Sequence, residues 1–245
     1  MSAAIKESVP SLQEYFFDSR EAMLSALKKD VTECLQSALK DHERVSFMVS
    51  GGSSPEPLYR ALSRTELPWN RISAALVDER WVPKSHPKSN EAFIEENLLQ
   101  SFASATDWQG MKNFAPTADE GQAFCEGRYR WLPPHWAVTI LGMGNDGHTA
   151  SLFPHAKGLE AALDEKAPLC AAIEAIPSEV TGEITERITL TLPALLRSQQ
   201  LILLLTGEEK LATYKAAKAG DDIADMPVRA ILQQSEAPVA VYWAP

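Results

Sequence analysis

The chain has 245 residues, 45% of them hydrophobic and 23% charged, with a formal net charge of −10. That balance fits a globular chain with a sizeable core, and the acidic excess argues against nucleic acid or an anionic membrane as the main partner, since both are held by clustered Lys and Arg. No run approaches the roughly 20 apolar residues of a membrane span, residues 1–10 carry no apolar leader, and Cys34, Cys125 and Cys170 lie too far apart for a disulfide framework or a zinc site, so a soluble cytoplasmic protein with reduced thiols is expected.

In chain order, Met23, Ala26, Leu27, Val31, Cys34, Leu35 and Ala38 recur at three-and-four spacing and predict an amphipathic helix. Short apolar runs follow at 45–49, 74–77, 136–141, 188–192, 201–205 and 239–243, mostly without polar alternation, as strands covered on both faces read. Helical patterns fall between them at 55–62, 90–99, from 150 onward and 208–218. This alternation predicts an α/β fold, a Rossmann-like three-layer α/β/α sandwich with a mainly parallel sheet. Residues 103–135 read as an irregular connection holding one helix, so 1–245 is expected to form a single domain with room for a small subdomain.

Open parallel sheets bind ligands at the carboxyl ends of their strands, and polar segments follow four of these runs. In Ser50-Gly51-Gly52-Ser53 the glycines let the backbone approach a ligand, while Ser54 is placed to cap a helix starting at Pro55, whose N–H groups would attract an anion. A plain strand-to-helix turn fits the same residues. Neither a Walker loop nor a dinucleotide fingerprint is present, so ATP and NAD are not expected. Asp78-Glu79-Arg80-Trp81-Val82-Pro83, with His86 and Ser89-Asn90, reads as a ligand-facing loop or a surface charge cluster.

The third segment brackets Asn145, Asp146 and His148 with Gly142, Gly144 and Gly147, and Thr149 to Phe153 reads as the first turn of a helix. At such a junction the helix dipole would keep the imidazole neutral and Asp146 would orient it, giving a base; a structural histidine is the alternative. Ser151 lacks a nucleophile elbow, and Asp146 and His148 lack a third ligand, so neither a serine nucleophile nor a metal is expected. Arg187 and Lys210, surface cations by default, are candidates to hold a phosphate dianion together with the Ser50 turn.

Taken together, Ser50 to Pro55, Asp78 to Pro83 with His86 and Ser89-Asn90, Leu141 through Pro154, and Thr206-Gly207 with Lys210 resemble the 6-phosphogluconolactonases, in the glucosamine-6-phosphate deaminase and ribose-5-phosphate isomerase-like fold group. The resemblance implies a cofactor-free enzyme, monomer or homodimer, that hydrolyses 6-phosphoglucono-δ-lactone in the oxidative pentose phosphate pathway. It implies His148 as base with Asp146 beside it, and Arg80, Arg187 and Lys210 as anion-binding residues; Ser50, Gly51, Gly52, Ser53, Asp78 and Asn145 complete the expected substrate site. Pro227-Val228-Arg229 departs from the Pro-Ala-Ser expected there, which leaves a substrate contact from that segment open. Two rivals remain: a glucosamine-6-phosphate deaminase, disfavoured because no carboxylate follows His148 in Thr149 to Phe153, and a non-catalytic sugar-phosphate sensor, disfavoured because no basic DNA-binding helix is present.

Overall fold

The computed structural model describes residues 12–245; the leader-free stretch expected at residues 1–10 lies outside them. In chain order the elements are β1 (Leu12–Phe16), α1 (Arg20–Asp41), β2 (Val45–Val49), α2 (Glu56–Ser63), β3 (Ile72–Leu76), β4 (Asp78–Arg80), α3 (Asn90–Asn97), β5 (Asp107–Gln109) and α4 (Ala118–Tyr129). They continue with β6 (Trp136–Leu141), α5 (Leu159–Leu163), β7 (Cys170–Glu174), β8 (Glu186–Leu190), α6 (Leu192–Leu195), β9 (Leu201–Thr206), α7 (Glu208–Ala219), α8 (Arg229–Leu232) and β10 (Val239–Ala244).

The predicted first helix forms as α1. Ser19 caps it by accepting from Ala22 N–H, and Met23, Leu27, Val31, Leu35 and Ala38 line its buried stripe over β2, β6 and β10. Fully burying each larger aliphatic side chain contributes about 1.5–3 kcal/mol. Every residue of β2, β3 and β6 is buried, which explains their unbroken apolar runs. Among the described residues no helix is long and apolar enough to cross a membrane.

The main sheet has seven strands in the order β1-β10-β9-β6-β2-β3-β5, all parallel. From β2 the chain works outward through β3 to β5, then returns to the other side of β2 as β6. The strand order therefore reverses between β2 and β6, the place where ligands bind in open α/β sheets.

A second sheet, antiparallel in the order β4-β8-β7, departs from the sequence expectation. The run at 188–192 does not join the parallel sheet: its strand is β8, and Asp78 to Arg80 is not a loop but β4, paired so that Arg80 stands opposite Arg187. Val77 links the two sheets, donating to the Val49 carbonyl in one and accepting from Leu190 N–H in the other.

The helix expected from residue 150 does not form either. Ala150 and His155 take left-handed backbone angles, φ 48° and 51°, and Pro154 adds a breaker, so the next helix begins only at Leu159. Local side-chain bonds take its place: Thr149 Oγ1 donates to the Gly142 carbonyl, and Ser151 N–H donates to Thr189 Oγ1. The dipole argument for His148 falls with that helix. Ser54 likewise does not cap α2, whose first turn has no side-chain cap; its hydroxyl pairs with Thr206 Oγ1 at 3.0 Å. The three cysteines are free, as expected, but the fold brings Cys125 and Cys170 Sγ to 3.6 Å across the α4–β7 contact, which no sequence spacing announced.

Candidate active site

At the switch point the loops after β2 and β6 face each other across one cleft. Ser50 to Ser54 form one wall, Gly142, Met143 and His148 another, and Lys210 enters from α7. Asp78, Arg80 and Asn90 close the side nearest the second sheet. Its free volume, about 250 Å³, is below the roughly 300–1,000 Å³ of sites for drug-sized ligands, so the cleft suits a small molecule.

The β6 loop holds His148 by its own backbone. Gly144 N–H donates to the His148 carbonyl at 2.9 Å, and Gly147 turns the chain with φ 80°. Within that turn His148 Nδ1 lies 2.6 Å from Asp146 Oδ1, and the same oxygen accepts His148 N–H at 3.1 Å. Burial alone would raise the Asp146 carboxyl, but the hydrogen bond and charge of His148 outweigh it and hold the group below the ordinary aspartate range. The carboxylate is ionised at neutral pH and can steady an imidazolium. With Nδ1 so engaged, Nε2 is the nitrogen left for chemistry.

Charge on the other walls is arranged unevenly. Lys210 Nζ donates to the Met143 carbonyl at 2.5 Å; burial lowers its affinity for the proton, against the pull of the Asp146 and Glu209 carboxylates. Ser50 Oγ and Arg80 Nε are buried without a hydrogen-bond partner among the described residues. An unpaired buried polar group costs about 1–3 kcal/mol, which a ligand's oxygen atoms would recover.

Asp78 is buried and accepts from Ser151 Oγ at 2.7 Å, so the Ser151 hydroxyl is engaged by a carboxylate and has no imidazole beside it. Glu79 has no place on the cleft. Fully buried, it accepts from the N–H groups of Arg80, Asn90 and Glu91, each at 2.8 Å, and from Ser89 Oγ at 3.1 Å, pinning the start of α3. That anchor sets Asn90, whose amide donates to the Asp78 carbonyl at 2.9 Å and whose Oδ1 leaves no room for a side chain on Gly51, a Cβ there coming within 2.0 Å.

Glu79→Ala would strip the buried Asn90 N–H and the part-buried Arg80 and Glu91 N–H groups of their acceptor. At about 1–3 kcal/mol for a buried donor and less for the other two, a loss of about 2 kcal/mol or more is expected, read as a lower midpoint in denaturant. Burial also pushes the Glu79 carboxyl up to about 7, against the N–H bonds that favour its anion. The native state therefore binds the extra proton between its ordinary value of 4.5 and about 7, and this group's stabilisation declines as pH rises through that window.

Not every expected residue reaches the cleft. Asn145 is exposed and donates to Glu209 Oε2 at 3.2 Å. Arg187 lies behind the wall, donating to the carbonyls of Ile184 and Thr181, with burial and the Arg80 charge both opposing its own. His86 accepts from Lys88 N–H outside the cleft. Arg229, whose segment was left open, donates to the Ala216 and Ala217 carbonyls at the end of α7 and to the Asp222 carbonyl. The N–H groups of Gly144 and Gly147 both donate within their own loop, the second to the Gly144 carbonyl at 3.1 Å, so neither is free to meet a ligand. Asn90 was read only as part of a motif, and Phe153, stacked on His148, had no role assigned.

Among the described residues no group of three or more His, Cys, Asp or Glu side chains is placed to hold a metal ion. The family of glucosamine-6-phosphate isomerases and 6-phosphogluconolactonases matches residues 18–243. A 6-phosphogluconolactonase of Rhizobium meliloti is 37% identical over 235 residues, covering 96% of this chain and all of its own length. One from Pseudomonas aeruginosa is 37% identical over 219 residues, 89% of each chain. The crystal structure of a 6-phosphogluconolactonase from Shewanella baltica superposes with a TM-score of 0.90 at 38% identity, over 97% of this chain and 99% of the other.

Proposed function

The chain belongs to the family of glucosamine-6-phosphate isomerases and 6-phosphogluconolactonases, and from that premise we propose that it hydrolyses 6-phosphoglucono-δ-lactone to 6-phosphogluconate in the oxidative pentose phosphate pathway, as a single domain without a cofactor. The observation that carries the reading is one cleft holding a histidine–aspartate pair, a lysine and the glycine-rich β2 loop.

In this reaction His148 Nε2 takes a proton from water as the water oxygen attacks the lactone carbonyl. Asp146 balances the charge that the ring acquires, and the proton then passes to the ring oxygen as the ester bond breaks. General base catalysis of this kind is worth about 10²–10⁴-fold. The developing oxyanion would be met by the amides of Gly142 and Met143, the loop residues that line the cleft. Ser50 to Ser53, Arg80 and Lys210 hold the phosphate, with Arg187 adding its charge from behind Arg80 and Asp78 accepting from sugar hydroxyls. The absence of a carboxylate between Thr149 and Phe153 favours the lactonase over the deaminase.

The test is lactone hydrolysis above the spontaneous rate, with ammonia release from glucosamine 6-phosphate measured beside it; ammonia without lactone turnover would reverse the assignment. Lys210→Ala should raise KM for the phosphorylated lactone by about tenfold or more, the worth of one charged hydrogen bond, and leave KM for glucono-δ-lactone nearly unchanged. Equal changes for the two lactones would remove Lys210 from the phosphate site.

A further inference from the structure

The reaction scheme leaves one side chain on His148 unused. The Phe153 ring stacks on the imidazole, centroids 4.1 Å apart and planes 27° off parallel, and the Arg187 guanidinium lies 5.4 Å from the centre of the same phenyl ring. Phe153 and Arg187 are both buried, at 4% exposure. Arg187 is fixed by its bonds to Ile184 and Thr181, so the stack has a rigid back.

The arrangement answers a physical difficulty in the histidine–aspartate pair. The single hydrogen bond from Nδ1 to Asp146 Oδ1, at 2.6 Å, fixes one atom of the imidazole but not the plane of its ring, and Nε2 must be aimed at the attacking water.

We propose that Phe153 is a positioning residue for His148: its ring, with Arg187 beside it, fixes the imidazole plane so that Nε2 faces the attacking water. This rests on His148 being the base. Loss of the aromatic face should therefore lower turnover with little effect on substrate binding.

The test compares Phe153→Leu with Phe153→Tyr in lactone hydrolysis. For the leucine variant we expect kcat to fall about ten- to a hundredfold, the size of a small misplacement of a reacting group, with KM within about twofold. The tyrosine variant should restore kcat. Should Phe153→Leu fail to fold, Phe153→Met, of comparable volume and adaptable shape, takes its place. Wild-type kcat in a folded Leu or Met variant would overturn the proposal, as would a tyrosine variant no better than leucine. His148→Ala run alongside separates the two readings: if it is inactive while Phe153→Leu is normal, only the positioning role fails, whereas an active His148→Ala removes the base itself.

Discussion

Replacing His148 by alanine is expected to lower kcat for lactone hydrolysis by about 10²–10⁴-fold while changing KM little, the signature of a group that acts on the transition state and not on the bound substrate. The split follows from the cleft. His148 and Asp146 sit on the β6 loop, whereas the proposed phosphate contacts come from the β2 loop, Arg80 and Lys210, which the substitution leaves in place. Some catalysis over water survives such a deletion, because orientation and oxyanion donors remain. Asp146→Asn should lie between the two, since an amide can hold the ring but cannot balance the imidazolium formed during attack. The rate must be corrected for spontaneous ring opening; turnover at the wild-type level in His148→Ala would end the assignment of this residue as base.

How far the sequence could be read depended on whether a signal was local. The apolar runs at 45–49, 136–141, 201–205 and 239–243 appear as buried parallel strands because burial on both faces writes itself into every residue. The run at 188–192 had the same composition, yet its strand pairs with Asp78 to Arg80 in a second sheet, since an apolar run carries no record of its partner. Thr149 to Phe153 failed for a different reason. Helix propensity there competes with a bond to Gly142, seven residues back, and with bonds to Asp78 and Thr189, which are distant in sequence and cannot be seen from the segment itself. The cleft was legible through glycine-bracketed polar residues at strand ends. What escaped notice acts across the fold: the grip of Glu79 on α3, the approach of Asn90 to Gly51, and the phenyl ring against His148.

Gly144 offers the second large effect, and its cause is space. A Cβ built on Gly144 would lie 2.0 Å from His148 Nδ1, 2.2 Å from its Cε1 and 2.4 Å from Asp146 Oδ1, all well inside contact distance. The methyl group of Gly144→Ala must therefore displace the imidazole, the carboxylate or the loop by more than 1 Å, whereas the loop backbone is tied down by Gly144 N–H to the His148 carbonyl. Displacement of that size at a reacting group costs about a hundredfold in rate, so kcat should fall to about one hundredth with KM and thermal stability close to wild type. Gly127→Ala is the control, because nothing lies within 4 Å of a Cβ at that position and the residue sits on α4 outside the cleft, so no loss of kcat is expected. If Gly144→Ala keeps full activity, the histidine–aspartate geometry is not what turns the substrate over. If it loses activity together with thermal stability, the effect belongs to the fold and not to the collision, because a methyl group that only displaces the imidazole leaves the buried core untouched.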